Sequence, residues 1–297
     1  MAFWKQITHL VKDPPPEHVF ELSEAGIAYA RHGETGFQNF EPGVLAVSPL
    51  ADNILQPGAV TSVLARIAPP NGAKRRPAAI ILPDYAARVS LLDFDSFPSS
   101  PEEQLPLVRF RVKKTIPFDI DSAAVSYWAQ PASVKAGVKK VDVVAVTVAL
   151  EILARYEAVF RSANLYPGVV TTSGLAALNL YRASDVAVIA KLTGNVLTVM
   201  AVADGRLKLF RCLTVEGDSD EEGNNDEILA VLNPTFAYIE DELGQRPEKL
   251  LLCGFTKPPE GLNPKDGLTP EIEPFRSHLG TPNAYNAGLL GYLEAAG

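Results

Sequence analysis

The candidate reactive groups in this sequence are mostly carboxylates, and each set lacks a part. Asp218 to Leu229, "DSDEEGNNDEIL", puts acids at positions one, three and five of a calcium loop and glycine at six. Position twelve, where a bidentate Glu is required, is Leu229, and Asn225 replaces the apolar residue at eight, so a solvated acidic loop is expected. Asp93/Asp95 and Asp119/Asp121 alternate along strand or turn and are expected to face water rather than form an acid–base dyad. The stretch from Asp185 to Arg211 reads as strand, turn at Thr193-Gly194-Asn195, strand to Ala203, turn at Asp204-Gly205, and third strand. A hairpin turn can cradle phosphate when a carboxylate beside it positions a metal, yet no Asp or Glu lies between Val186 and Ala203. Lys191 and Thr193 are suited to meet an anion, but an exposed hairpin turn is the expected account of both. No GxxxxGK[ST], GxSxG, HExxH or CxxC occurs, and His9, His18, His32 and His278 are too dispersed for a metal site. Cys212 and Cys253 lie in apolar runs, as buried thiols of a reducing compartment do.

The bulk composition narrows the class. A net charge of −8 argues against nucleic-acid binding, and Lys74-Arg75-Arg76, Lys113-Lys114 and Lys139-Lys140 are short, scattered basic clusters. The 297 residues, 47% of them hydrophobic, suit one large domain or two to three packed subdomains. No apolar run reaches the ~18 residues of a membrane span, and no signal peptide is evident, so a soluble cytoplasmic protein is expected. Phe3, Ile7 and Leu10 fall at helical spacing beside Trp4, before Pro14 to Pro16; this segment reads as a docked or disordered terminus, or as a membrane-touching foot through Phe3, Trp4 and Ile7.

The elements that would position these residues alternate between strand and helix. His18 to Gly33 reads as a hairpin turning at Ser23–Gly26, "GVLAVSPL" as a strand, "GAVTSVLARIAP" as a helix, and "PAAIILP" as a strand covered on both faces. "RVSLLDFDSF", "SYWAQ" and "KVDVVAV" read as strands, with a helix after Ser100 as N-cap and Pro106 kinking it. "TVALEILARYEAVFRSANL" is the clearest helix, with Val148, Ile152, Tyr156 and Val159 on one stripe and Asn164 as left-handed stop. "PGVVTT" is expected as strand, "SGLAALNLY" as a helix capped by Ser173, and "EILAVLNPTFAYIEDELG" as a helix capped by Asp226 and ended by Gly244. "KLLLCG" reads as a strand, Thr256 to Pro274 as surface loop, and "NAYNAGLLGYLEAA" as a helix whose small residues permit close backbone approach. The hairpins at 19–31 and 186–211 each precede an α/β segment, a weak internal duplication.

"AAIILPDYAARVSLLDFDSFPSSPEEQLPLVRFRVKKTIPFDIDSAAVSYWAQ" and "VDVVAVTVALEILARYEAVFRSANLYPGVVTTSGLAALNLY" resemble the PilM family of actin-like type IV pilus assembly proteins, strongly over 78–181. "RPEKLLLCGF" and "NAYNAGLLGYLEA" resemble the family's closing strand and terminal helix, and the cytoplasmic part of the secretion protein GspL is a related comparison. The resemblance implies an α/β actin-like fold of two ribonuclease H-like lobes with an inserted α/β subdomain. The expected parts are an N-terminal segment (1–17), a first lobe (18–85), the insert (86–164), the first lobe continued (165–185), a second lobe (186–282) and a terminal helix on the first lobe (283–297).

The nucleotide loops depart from the family's pattern. The first reads Glu21-Leu22-Ser23-Glu24-Ala25-Gly26, with Ser23 in place of glycine and Ala28 in place of lysine. The second, Ala190 to Gly194 with Lys191 and Thr193, has no metal-holding carboxylate, and the adenosine loop is Cys253-Gly254-Phe255, whose Phe255 is placed to crowd a base or ribose. The implied function is therefore a non-catalytic pseudo-ATPase without ATP or magnesium, an adaptor at the cytoplasmic face of a bacterial inner membrane in type IV pilus or type II secretion machinery. The implied partner is the short cytoplasmic N-terminus of a PilN-like membrane protein. It would lie in the groove between the inserted subdomain and the main lobe, involving Val89–Phe94, the edge of "VSYWAQ" and the helix from Ser100, against Arg109, Arg111 and Tyr127. An active actin-like ATPase and a cell-division actin homologue are the alternatives.

Overall fold

The computed structural model describes residues 16–31, 33–70, 72, 75–135, 138–216, 222–264 and 269–296. The expectations for Phe3, Trp4, Ile7, His9, His32, Lys74 and the start of the acidic loop, 218–221, lie outside the described residues. The chain begins with strands β1 (His18–Ser23), β2 (Gly26–Arg31) and β3 (Glu34–Asn39), helix α1 (Pro57–Ile67) and strand β4 (Arg76–Leu82). A single helical turn, Asp84–Ala86, leads into β5 (Arg88–Phe94), α2 (Pro101–Val112), β6 (Ala123–Ala129), β7 (Ser133–Lys135) and β8 (Val138–Ala149). Then come α3 (Leu150–Ser162), β9 (Leu165–Thr172), α4 (Ser173–Ala177), β10 (Ala187–Thr193), β11 (Val196–Ala203) and β12 (Arg206–Thr214). Helix α5 (Glu222–Leu243), β13 (Lys249–Cys253), β14 (Glu271–Pro274) and α6 (Ala287–Ala296) complete the order.

Two five-stranded sheets share one plan, β3-β2-β1-β4-β9 and β12-β11-β10-β13-β14. In each, an antiparallel three-strand meander is extended by two parallel strands. The apolar pattern explains the layering. In β4, Ala78, Ile80 and Leu82 pack with Val60, Val63, Leu64 and Ile67 of α1 and Ile152, Tyr156 and Val159 of α3. Ala79 and Ile81 face the other way, onto Ala176 of α4 and Leu289 and Tyr292 of α6. A strand covered on both sides must be apolar where it is covered, and this one is from Ala78 to Leu82. In β10, Val188, Ala190 and Leu192 pack on Ile228, Leu232 and Ile239 of α5, while Ala187 and Ile189 face Leu175 of α4 and Ala287 of α6. Helices α4 and α6 thus lie between the two sheets. Their close packing requires small residues, because a Cβ on Gly291 would sit 2.2 Å from the Ala176 carbonyl oxygen.

The third sheet, β5-β8-β6 with β7 on β8, is inserted between β4 and β9. Leu92, Phe94 and Val143 pack under Val108 and Val112 of α2. On the opposite face, Val144 with Val89 and Leu91 packs against Met200, Val202 and Leu207 of the second lobe. Gln130 pins this contact by donating to the Leu207 carbonyl and accepting from the Leu207 N–H, both at 2.8 Å. Lys208 adds an ion pair to Asp142 at 3.2 Å. The stretch 86–164 therefore straddles two units: β5 to β8 form the inserted layer, whereas α3 packs within the first lobe's core.

Several local expectations are corrected. "GVLAVSPL" is not a strand; Leu45 makes one isolated bridge to Ile54, and the third strand of the first sheet is the polar edge Glu34–Asn39. Ser100 precedes α2, but its hydroxyl bonds the Glu102 carboxylate instead of capping, and the helix runs on through Pro106. Val148 ends a strand, and α3 starts at Leu150, with Asn164 as the expected left-handed residue (φ 59°). Ser173 is the first residue of α4, and its hydroxyl goes to Glu21 rather than to the helix end. Asp226 lies inside α5, and Gly244 ends that helix with φ 66°. Glu271–Pro274, placed in a surface loop by its proline and glycine content, adds a parallel edge strand to β13.

Candidate functional site

The turns at the ends of β1 and β10 meet across the interface between the lobes, around a cavity of about 130 Å³. The duplicated sheets make these turns equivalent, and the equivalent residues carry opposite charge. Glu21 stands two residues before Ser23 at the end of β1, and Lys191 two residues before Thr193 at the end of β10. Both charged side chains are buried, at 2% and 3% exposure. The sequence-based expectation that Lys191 sits in an exposed turn is therefore corrected: the strand register that buries Ile189 and Leu192 also turns this lysine into the interface.

A third buried charge completes the site. Asp84, just beyond β4, accepts from the Gly174 N–H at 2.6 Å and from the Thr198 hydroxyl at 3.0 Å, and its Oδ2 lies 3.6 Å from Lys191 Nζ. Lys191 Nζ also donates to Thr193 Oγ1 at 2.7 Å, and that hydroxyl donates to the Ala284 carbonyl at 3.0 Å. The carboxylate missing from the β10–β11 hairpin is thus supplied by a residue 107 positions away from Lys191 (191 − 84). Its motif, Pro83-Asp84-Tyr85 after an apolar strand, carried no chemical signature by itself. Burial alone would push the Lys191 ammonium down, but Asp84 and then Glu21 more than offset this and hold it above its ordinary value.

Glu21 is held within the first lobe. Its Oε1 accepts from the Ser173 hydroxyl and its Oε2 from the Leu289 N–H at 2.7 Å, joining β1, α4 and α6. Complete burial pushes its carboxyl up to about 7, against the opposing pull of Lys191 and these hydrogen bonds. The folded protein therefore keeps the Glu21 proton between about 4.5 and 7, where the unfolded chain has released it. The stability contributed by this group is present below the lower value and is lost as pH rises through the upper one. Across that window wild type is expected to lose up to ~1.4 kcal/mol per pH unit relative to Glu21→Gln. Urea unfolding of both proteins at successive pH values measures this difference; parallel profiles would refute it.

The remaining residues singled out in the sequence serve local structure. Ser23 donates to the Gly26 carbonyl at 3.1 Å, and a Cβ on Gly26 would meet the Gln38 carbonyl oxygen at 2.1 Å. Glu24 accepts from the Val47 N–H at 2.6 Å and so ties the segment before α1 to the first turn. Gly194 occupies its turn with φ 58°, and Gly254 follows β13 with φ 81°. Phe255 turns away from the cavity and packs on the second lobe's core; the aromatic rings lining the cavity are Tyr85 and Tyr285. Asp93 and Asp95 pair with Lys140 at the surface, and Asp119 accepts from the Asp121 N–H at 3.1 Å, so neither pair is a dyad. Among the described residues no His, Cys, Asp and Glu cluster could hold a metal ion. Arg76 of the basic cluster binds the Ala68, Pro69 and Ala163 carbonyls, fastening the ends of α1 and α3.

The residues placed in the partner groove lie on the inserted layer and bond within it. Arg109 donates to the Ile120 carbonyl at 2.6 Å, Arg111 stacks over Phe94 at 4.9 Å and donates to the Asp93 carbonyl, and the Tyr127 hydroxyl donates to Gln104 at 2.9 Å. Arg111 is exposed, and α2 also presents Phe110 at 68% exposure.

No protein-family model matches this sequence, and no curated protein matches it. Among solved structures, a chain of a PilM-PilN type IV pilus biogenesis complex superposes with a TM-score of 0.73 at 15% identity, covering 96% of this chain and 100% of that one. The cytoplasmic domain of EpsL, an inner membrane component of the type II secretion system of Vibrio cholerae, superposes with a TM-score of 0.50 at 14% identity, over 94% and 93% of the two chains. With the duplicated sheets, these likenesses show the expected actin-like α/β fold.

Proposed function

We propose that this protein is a non-catalytic scaffold of type IV pilus or type II secretion assembly, peripheral to a bacterial inner membrane, whose partner is the cytoplasmic N-terminal peptide of a PilN-like membrane protein. The observation that carries the non-catalytic part is the internal pairing of the cleft. Asp84 faces Lys191 and accepts from Gly174 and Thr198, and Glu21 is bound to Ser173 and Leu289. A magnesium-bound nucleotide needs free carboxylate oxygens for the hydrated metal and donors for the phosphates. Here the acceptors already face protein donors. These residues do not suit the group.

The fold likeness over the whole chain supports the assembly role, because one neighbour is described as part of a type IV pilus biogenesis complex and the other as the cytoplasmic domain of an inner membrane component of a secretion system. The groove proposed for the peptide is bounded by β5, β6 and α2, with Arg109, Arg111 and Tyr127 as contacts. Titration of a synthetic PilN-type N-terminal peptide by fluorescence anisotropy is expected to saturate in the micromolar range, and Arg111→Ala to weaken it; absence of binding at high micromolar concentration would refute the partner. A thermal-shift assay with magnesium and ATP addresses the chemistry, since a ligand bound only to the native state must raise the melting temperature. No shift is expected.

A further inference from the structure

We infer that Lys191 is a built-in cation that clasps the two lobes shut across the cleft, so that the closed arrangement is held without any bound ligand. The inference rests on the reading above, that the cleft works without a nucleotide, and adds what takes over the task of closure.

The geometry puts the clasp between the lobes and nowhere else. Lys191 belongs to β10 of the second sheet, and Asp84 follows β4 of the first; their charged ends lie 3.6 Å apart with 3% and 2% of each side chain exposed. Thr198, on β11 beside Lys191 in the strand register, reaches the same carboxylate at 3.0 Å. Two donors of one lobe thus converge on one acceptor of the other. Asp84 is itself fixed from behind by the Gly174 N–H at 2.6 Å, so it cannot follow a retreating lysine. Thr193 extends the contact to the Ala284 carbonyl on the segment leading into α6. A buried pair of this kind adds little net stability over an apolar pair, but removing one partner strands a charge in the interior. The lobes then separate to hydrate it, which is why loss of one member should open the cleft.

The position also ties closure to the inserted layer. Asp84 stands four residues before β5 begins at Arg88 (88 − 84), and Arg88 stacks on Tyr85 at 4.8 Å. The inserted sheet in turn is docked on the second lobe through Gln130 and Leu207. The clasp and this dock therefore hold the insert at both ends against the same lobe.

The test is a distance measurement across the lobes in the full chain, with spin labels on exposed Ser62 of α1 and Asp241 of α5, each replaced by cysteine. Wild type is expected to give one distance, unchanged by magnesium and ATP. Lys191→Met should add a longer distance, with the open-to-closed ratio rising by roughly a hundredfold or more. Lys191→Met with Asp84→Asn, which removes both charges, should return to the single short distance. If Lys191→Met does not fold, Asp84→Asn alone must show the longer distance, since it keeps an oxygen that can accept from a neutral donor but takes away the carboxylate that faces the lysine. A single short distance in both single variants overturns the clasp and leaves the non-catalytic reading intact. A wild-type distance that shifts on adding magnesium and ATP overturns the non-catalytic reading instead.

Discussion

Asp84→Ala is expected to destabilise the protein by about 3–5 kcal/mol, the usual cost of leaving one member of a buried ion pair alone. Asp84 is 4% exposed and accepts from the Gly174 N–H and the Thr198 hydroxyl while facing Lys191. Alanine leaves a buried ammonium, a buried amide and a buried hydroxyl short of an acceptor. For a chain of this size the loss corresponds to a fall in melting temperature of ~10 °C. Asp84→Asn should lose less, because the amide oxygen still accepts from one or both neutral donors. Denaturant unfolding of the two variants beside wild type decides the matter. Equal losses would mean that the charge facing Lys191, and not the hydrogen bonds from Gly174 and Thr198, sets the energetics of the cleft.

Gly254→Ala is expected to lose ~3 kcal/mol or more, although the residue touches no charged group. Its φ of 81° disfavours any side chain, and an added Cβ would stand 2.0 Å from the Leu192 carbonyl oxygen and 3.0 Å from Ala284 Cβ. The Leu192 oxygen cannot retreat, because Leu192 is registered against Leu197 in the β10–β11 ladder. Gly205→Ala is the control: its φ of 67° is similar, but nothing lies within 4 Å of the new Cβ. That substitution should lose only the ~1–2 kcal/mol of the left-handed conformation. The difference between the two variants isolates the steric part. If both lose the same amount, the close approach between the turn after β13 and the end of β10 is not what requires glycine at position 254.

These two residues show where sequence reading stopped. Gly254 was legible as a loop glycine after an apolar strand, but its neighbours, Leu192 and Ala284, lie 62 and 30 positions away (254 − 192 and 284 − 254). Asp84 looked like an ordinary residue between an apolar strand and a turn. Its meaning depends on Gly174, Lys191 and Thr198, which only folding brings to it. Lys191 is a related case: a lone cation beside a Gly-Asn turn reads as surface unless the opposing lobe, with its carboxylate, is in view.

The apolar periods are legible in the sequence, and they give the mixed α/β layering; the actin-like lobes were what the family resemblance implied. The continuous run Ala78 to Leu82 demanded a strand covered on both faces, the helical spacing of Ile152, Tyr156 and Val159 demanded a packed helix, and the small residues of α6 demanded a close neighbour. Such patterns are local, because side-chain direction repeats every two residues in a strand and every three or four in a helix. Only the tertiary structure decided that β3 and β14 join the sheets as edges, since edge strands carry too few buried residues to announce themselves. It alone also decided the state of the cleft, because whether a buried charge is free or paired depends on groups distant in the chain and a few ångströms apart in space.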